Sequence, residues 1–147
     1  IPPNTGNIAR LCAATGSPLH LVGPLGFRLN DKEMKRAGLD YWEAVNLSRH
    51  DNWDSFAPIL EERPFHLFST RGTHLYTEAD YTPGDRLIFG SETRGLPAPL
   101  LEHYPERVLT LPMQKENVRS LNLSNTAAIA LYEAIRQTQG DSPQTLV

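Results

Sequence analysis

The hydrophobic positions of this chain keep two alternating rhythms. Short, largely apolar runs stand at 19–22 (LHLV), 44–47 (AVNL), 66–69 (HLFS), 87–89 (LIF) and 108–111 (VLTL). Several are bounded by glycine, proline or charged residues, as buried strands commonly are. Between them apolar residues recur at helical spacing. Asn4 or Thr5 can cap a helix through Ile8, Leu11, Cys12 and Ala14 that stops near Gly16. Asp31 opens a charged helix, DKEMKRAG, ended by Gly38. Residues 54–62 place Phe56, Ile59 and Leu60 on one helical face, residues 97–104 begin a short helix with proline in its first turn, and residues 123–137 form the last helix. Strands alternating with helices predict an α/β fold, a mostly parallel sheet flanked by helices. Neither a repeat nor a linker interrupts residues 1–140, which read as one domain; the tail 141–147, DSPQTLV, reads as flexible.

A chain of 147 residues suits a single domain. The net charge of −3 announces no global basic field for a nucleic acid, although a local basic patch would still serve an RNA. The single cysteine, Cys12, permits no internal disulfide and fits a reducing compartment. No apolar run approaches the roughly 20 residues of a membrane span, and no signal peptide is visible, so a cytoplasmic location is expected. The chain opens at Ile1 rather than methionine, so some N-terminal sequence is expected to be missing.

In open parallel sheets ligands sit beyond the carboxyl ends of the strands. Three ends suit that role: Phe68-Ser69-Thr70 before Arg71-Gly72, Gly90, and Leu111-Pro112-Met113. The segment GSETRG that starts at Gly90 is either a binding loop or a tight turn with solvated charges. At the N-terminus, PPNTGNIAR sets Asn4, Gly6 and Asn7 at a helix start, where free peptide N–H groups favour an anion; ordinary capping plus a surface Arg10 is the alternative. Ser120, Asn122, Ser124 and Asn125 crowd another helix start, and a cap needs only one such side chain, so some are expected to face a ligand. The helix that follows is apolar nearly all round (Ala127, Ala128, Ile129, Ala130, Leu131, Ala134, Ile135). It is expected at a subunit interface with its alanines against a partner, or else as a central core helix. His20 and His66 read as core or edge strand residues; His50, His74 and His103 read as surface. Neither H-x₃-H nor C-x₂-C spacing occurs, so no metal site is expected, and Cys12 reads as a packed thiol. Nucleophile-elbow, Walker and dinucleotide fingerprints are absent. Arg28, Lys32, Lys35 and Arg36 could meet phosphate or form a solvated face.

PPNTGNIARLCAATG, FGSETRGLP and RSLNLSNTAAIALYEA, in this order, resemble the SPOUT (SpoU–TrmD) superfamily. Within it they are most similar to the TrmL-like tRNA 2′-O-methyltransferases, which RAGLDYWE at 36–43 also resembles. The resemblance implies a C-terminal trefoil knot, a homodimer through the helix at 123–137, and S-adenosylmethionine as methyl donor, leaving S-adenosylhomocysteine, without metal. The implied reaction is methylation of the ribose 2′-hydroxyl of a tRNA wobble nucleotide, cytidine or uridine, in leucine tRNA. Other tRNA or rRNA positions, a dimeric RNA-binding module without turnover, and a phosphate- or nucleotide-binding enzyme using NTGN stay open. Carried onto this sequence, the resemblance puts Arg10 at the hydroxyl or its phosphate, with Asn4 and Asn7 shaping that site. Gly90 and Gly95 would line the cofactor, and Glu92 would sit beside it or at the dimer interface. Phe68, Leu111 and Met113 would pack its adenosine and methionine parts, and Ser120 and Leu121 would close over it. Asn122 and Ser124 would organise the catalytic corner, and Tyr132 would lie near the interface. Two departures from the family pattern stand out: the short strand that normally precedes PPNTGN is not seen before it here, and the loop MQKENVRS is about one residue longer than expected for that group.

Overall fold

The strand–helix alternation is present in the computed structural model, which describes residues 3–25, 32 and 40–139. These belong to two compact units, 1–61 and 62–147. Most of the expected charged helix at 31–38, with Arg28, Lys35 and Arg36 of the basic run, lies outside the described residues.

The first unit contains α1 (Pro3–Thr15), β1 (Leu19–Val22), a 3-10 turn at Trp42–Ala44, β2 (Leu47–His50) and α2 (Trp53–Leu60). Gly16 ends α1 in the left-handed region at φ 69°, which lets the Ser17 amide return to the Cys12 carbonyl at 3.0 Å. β1 and β2 run parallel, Leu19 opposite Leu47 and Val22 opposite His50. Ala9 and Trp42 are buried together, with Leu19, Tyr41, Val45 and Leu47 packed around them. This packing corrects the strand expected at 44–47. Trp42 drops into the core, and the Ala44 and Val45 amides donate to Tyr41 and Trp42 carbonyls at 2.9 and 3.1 Å. The chain is therefore turned up to Val45, and the strand begins only at Leu47. The Asn52 side chain caps α2 by accepting from the Ser55 amide at 2.9 Å. His50, expected on the surface, is half-buried. Its Nε2 lies 3.0 Å from His20 Nδ1, and both rings meet Phe56 edge-on.

The second unit is a four-stranded parallel sheet in the order β4–β6–β3–β5, from β3 (Phe65–Phe68), β4 (His74–Leu75), β5 (Arg86–Phe89) and β6 (Val108–Thr110). α3 (Ala98–His103) precedes β6, and α4 (Leu123–Gln139) closes the described chain. β3 is central, with Phe65 and Leu67 only 1% and 0% exposed. β4 was not foreseen: two residues carry no periodicity, and the strand exists because β6 pairs with it. The remaining elements fall within a residue or two of their expected bounds, the usual fraying of helix ends included.

α4 is amphipathic in place rather than apolar all round. Ala130 is buried with Phe68, Tyr81, Leu109 and Leu111, and Ala134 packs against the same cluster. Ala127 is buried as well. Ala130 and Ala134 thus let α4 approach its own sheet closely. Ile129 and Tyr132 face outward, 41% and 46% exposed.

His66 on β3 meets Asp85 at 2.8 Å, with both side chains largely covered. The Thr82 hydroxyl and amide also donate to this carboxylate, at 2.6 and 3.1 Å. Burial raises the Asp85 carboxyl, but hydrogen bonds from the Thr82 side chain, from His66 and from the Thr82 amide outweigh it and hold the group below the usual carboxylate range. A folded value below the unfolded one means that ionised Asp85 contributes stability above the unfolded value of about 4, lost as pH falls through the lower folded value. Asp85→Asn is expected to flatten this acid limb. Urea midpoints between about pH 5 and pH 2 check it; parallel acid profiles in the two proteins would contradict it.

Candidate functional site

Parallel pairing of β3 with β5 and β6 sets Phe68 opposite Phe89 and Leu109, so the carboxyl ends of three strands lie side by side. The Phe68 and Phe89 rings lie 4.7 Å apart and 18° from parallel, and Phe68 and Leu111 belong to one buried cluster. Their side chains form the floor beneath the three loops that follow.

After β3 the chain folds over β6. The Ser69 amide donates to the Leu109 carbonyl at 3.0 Å and the Gly72 amide to the Ser69 carbonyl at 3.1 Å. After β5 the loop closes on itself. The Gly95 amide donates to the Ser91 carbonyl at 2.9 Å, and the Ser91 hydroxyl accepts from the Arg94 amide at 3.2 Å. A Cβ on Gly90 would stand 2.0 Å from the Gly95 carbonyl carbon and 2.2 Å from the Leu96 nitrogen. Gly90 is therefore required by the loop's own returning limb, where the sequence suggested approach of a ligand. Gly95 has φ 66°, and a Cβ there meets nothing within 4 Å. Glu92 and Arg94 stand exposed between the two glycines.

After β6, Leu111 is buried and Met113 partly so. Asn117 and Val118 amides turn back onto the Gln114 carbonyl at 3.0 and 3.4 Å. Lys115 Nζ donates to the Thr70 carbonyl at 2.9 Å, tying this loop to the one after β3. Ser120 is exposed, and Leu121 packs on the Phe68–Leu111 cluster. Asn122 is the cap of α4: its Oδ1 accepts from the Ser124 hydroxyl at 2.7 Å and the Asn125 amide at 3.1 Å. Of the four polar residues crowded here, Asn122 and a buried Ser124 are thus joined in one cap, while Ser120 and Asn125 remain exposed. The Asn122 amide nitrogen makes no hydrogen bond to another described residue and keeps its donors.

The remaining candidates belong to the first unit. Asn4, Asn7 and Arg10 follow one another at three-residue spacing along α1, each one turn from the last. Asn4 is 8% exposed, whereas Asn7 and Arg10 are exposed. The Arg10 guanidinium lies 5.9 Å from the centre of the Tyr41 ring, and the Tyr41 hydroxyl donates to the Gly6 carbonyl at 3.0 Å. Burial raises the Tyr41 hydroxyl above its ordinary value, with Arg10 opposing in part, so it stays a donor. Burial also pushes the Cys12 thiol up to about 11, the property of a packed thiol rather than a nucleophile. Among the described residues no three His, Cys, Asp or Glu side chains group to hold a metal, and no helix is long and apolar enough to cross a membrane.

Sequence reasoning missed Lys115, because its contact spans 45 residues and follows no periodicity. Tyr41 lies within RAGLDYWE, and neither periodicity nor spacing assigns it a role.

A family model described as the SpoU rRNA methylase family matches residues 1–132. The chain is 52% identical over 140 residues to a tRNA (cytidine(34)-2′-O)-methyltransferase of Burkholderia ambifaria, covering 93% of this chain and 89% of that protein. It is similar to a solved structure described as giving structural insights into the 2-OH methylation of C/U34 on tRNA. The TM-score there is 0.83 and the identity 47%, over 93% of this chain and 89% of that one. It is also similar to the SpoU methyltransferase AviRb of Streptomyces viridochromogenes, solved in complex with AdoMet. That match has a TM-score of 0.74 and 25% identity, over 93% of this chain and 56% of that one.

The two loop glycines are expected to respond differently to a methyl group. Gly90→Ala forces backbone apart and should cost about 2–3 kcal/mol or more, whereas Gly95→Ala meets only left-handed strain of about 1–2 kcal/mol. Denaturant unfolding of both variants checks this, and a larger loss in Gly95→Ala would contradict the close backbone contact.

Proposed function

The chain belongs to the SpoU rRNA methylase family, and from that membership we propose that it methylates the ribose 2′-hydroxyl of the wobble nucleotide, cytidine or uridine, of a tRNA. The TrmL-like motifs favour a leucine tRNA as substrate. S-adenosylmethionine is the donor and S-adenosylhomocysteine the product. The observation that carries this reading is 52% identity, spread over 93% of the chain, to a protein named for that reaction.

The residues at the strand ends fit the donor. Leu111, Met113 and Leu121 offer apolar contact for the nucleoside and the methylene groups of the donor, and peptide groups at the three adjacent strand ends offer donors and acceptors. Open space at Gly95 leaves its backbone approachable. When bound, the donor supplies a methyl carbon already made electrophilic by its sulfonium, so the transfer needs no metal. Phe68, buried beneath, supports the floor. Ser120 and Leu121 cover the donor, Glu92 lies beside it or at a subunit boundary, and Gly90 keeps the loop closed. Asn122 and Ser124 hold the start of α4 and orient the Asn122 amide.

The acceptor side is assigned to Arg10, with Asn4 and Asn7 shaping the helix turn around it. As the hydroxyl oxygen bonds to the methyl carbon, the sulfur takes the electron pair of the breaking carbon–sulfur bond and the hydroxyl proton passes to solvent water. A fixed guanidinium orients the ribose or its phosphate and offsets the charge developing on oxygen; a permanently protonated group makes a poor base.

The same reading includes one SPOUT domain over residues 1–140, a trefoil knot in its C-terminal part, a tail at 141–147 and a cytoplasmic location. It also includes a homodimer through the C-terminal helix, supported by the outward Ile129 and Tyr132. In vitro methylation of tRNA with labelled donor, followed by mapping of the modified nucleotide, tests the reaction. Label at another tRNA position or in rRNA would replace the target, and absence of label in any RNA would leave only an RNA-binding module.

Arg10→Ala is expected to lower the methyl-transfer rate by roughly two orders of magnitude or more with donor affinity unchanged. Near-normal turnover would remove its role, and lost donor affinity would show that the two functions are not separate.

Ile129→Glu is expected to give a folded monomer by light scattering, whereas Ala130→Glu should unfold the chain because that side chain faces its own core. A dimer that survives Ile129→Glu unchanged would place the interface elsewhere.

A further inference from the structure

Arg10 is exposed, and among the described residues no carboxylate pairs with it. A free arginine samples many rotamers, whereas a group acting on a reacting hydroxyl must be held in place beforehand. Tyr41 supplies what could hold it. Its ring lies under the guanidinium at 5.9 Å, within the range at which an aromatic face attracts a cation. Its hydroxyl donates to the Gly6 carbonyl at 3.0 Å, the carbonyl that α-helical geometry pairs with the Arg10 amide. One side chain therefore reaches both the peptide group beneath Arg10 and its charged end.

Tyr41 is itself fixed. Its carbonyl accepts from the Ala44 amide at 2.9 Å, and its neighbour Trp42 is buried with Ala9 of the same α1 helix. The ring thus stands on a turn anchored to the helix that carries Arg10. We propose that Tyr41 is a positioning residue for Arg10: its ring confines the guanidinium, and its hydroxyl secures the turn from which Arg10 projects. This rests on the reading of Arg10 as the group that meets the ribose.

The test compares single-turnover methyl transfer at saturating S-adenosylmethionine and tRNA in the unmodified protein, Arg10→Ala, Tyr41→Phe, Tyr41→Leu and Tyr41→Met. Donor affinity and unfolding midpoints are measured alongside. The two non-aromatic variants are expected to be about tenfold slower, with donor affinity and folding retained, and Tyr41→Phe, which keeps the ring, to stay within about threefold. A purely structural residue would not show rescue by phenylalanine at constant stability. Full rate in Tyr41→Leu with a slow Arg10→Ala overturns the proposal. So does a Tyr41→Phe as slow as the leucine variant, or failure of both non-aromatic variants to fold. Full rate in Arg10→Ala removes the role of Arg10 and the proposal with it, and no transfer by the unmodified protein removes the methyltransferase reading itself; both are told apart from failure at Tyr41 because they appear without a change at that residue.

Discussion

The candidate donor site depends on one pairing: β3 held parallel between β5 and β6. Parallel strands send their chains out at the same edge, and the loops after Phe68, Phe89 and Thr110 therefore leave side by side. The buried Phe65 and Leu67 keep β3 in the middle, and α4, pressed close through Ala130, covers the cluster under those loops. An antiparallel partner at either side would have carried one loop to the far edge and taken its residues out of the site.

Each loop is then shaped more by backbone than by side chain. The loop after β3 leans on the Leu109 carbonyl, the loop after β5 returns onto Gly90, and the loop after β6 turns on the Gln114 carbonyl and reaches Thr70 through Lys115. Hydrogen-bonded loops of this kind lose little freedom when a ligand arrives, which lowers the entropic cost of binding. Exposed Glu92, Arg94 and Ser120 are carried on that frame.

On α1 the same economy appears in a different form. A glycine carbonyl, a tyrosine hydroxyl and an arginine head group are linked by a 3.0 Å hydrogen bond and a ring–cation contact. Tyr41 and Gly6 are 35 residues apart in the chain, and burial of Trp42 against Ala9 brings their segments together.

What the sequence by itself determined is local. Strand and helix positions follow from apolar spacing, which each segment satisfies alone, and the three motif segments carried the family in their order along the chain. Tertiary structure decided what each residue faces. Gly90 reads as room for a ligand until the returning Gly95 is seen to fill it. The alanines of α4 suit a partner or a core equally until Ala130 and Ala134 are seen against their own sheet, and residues 44–47 read as a strand until Trp42 is seen to turn the chain inward. Lys115 and Tyr41 act across 45 and 35 residues. Periodicity reports only which face of an element is apolar; which partner covers that face depends on where the chain returns.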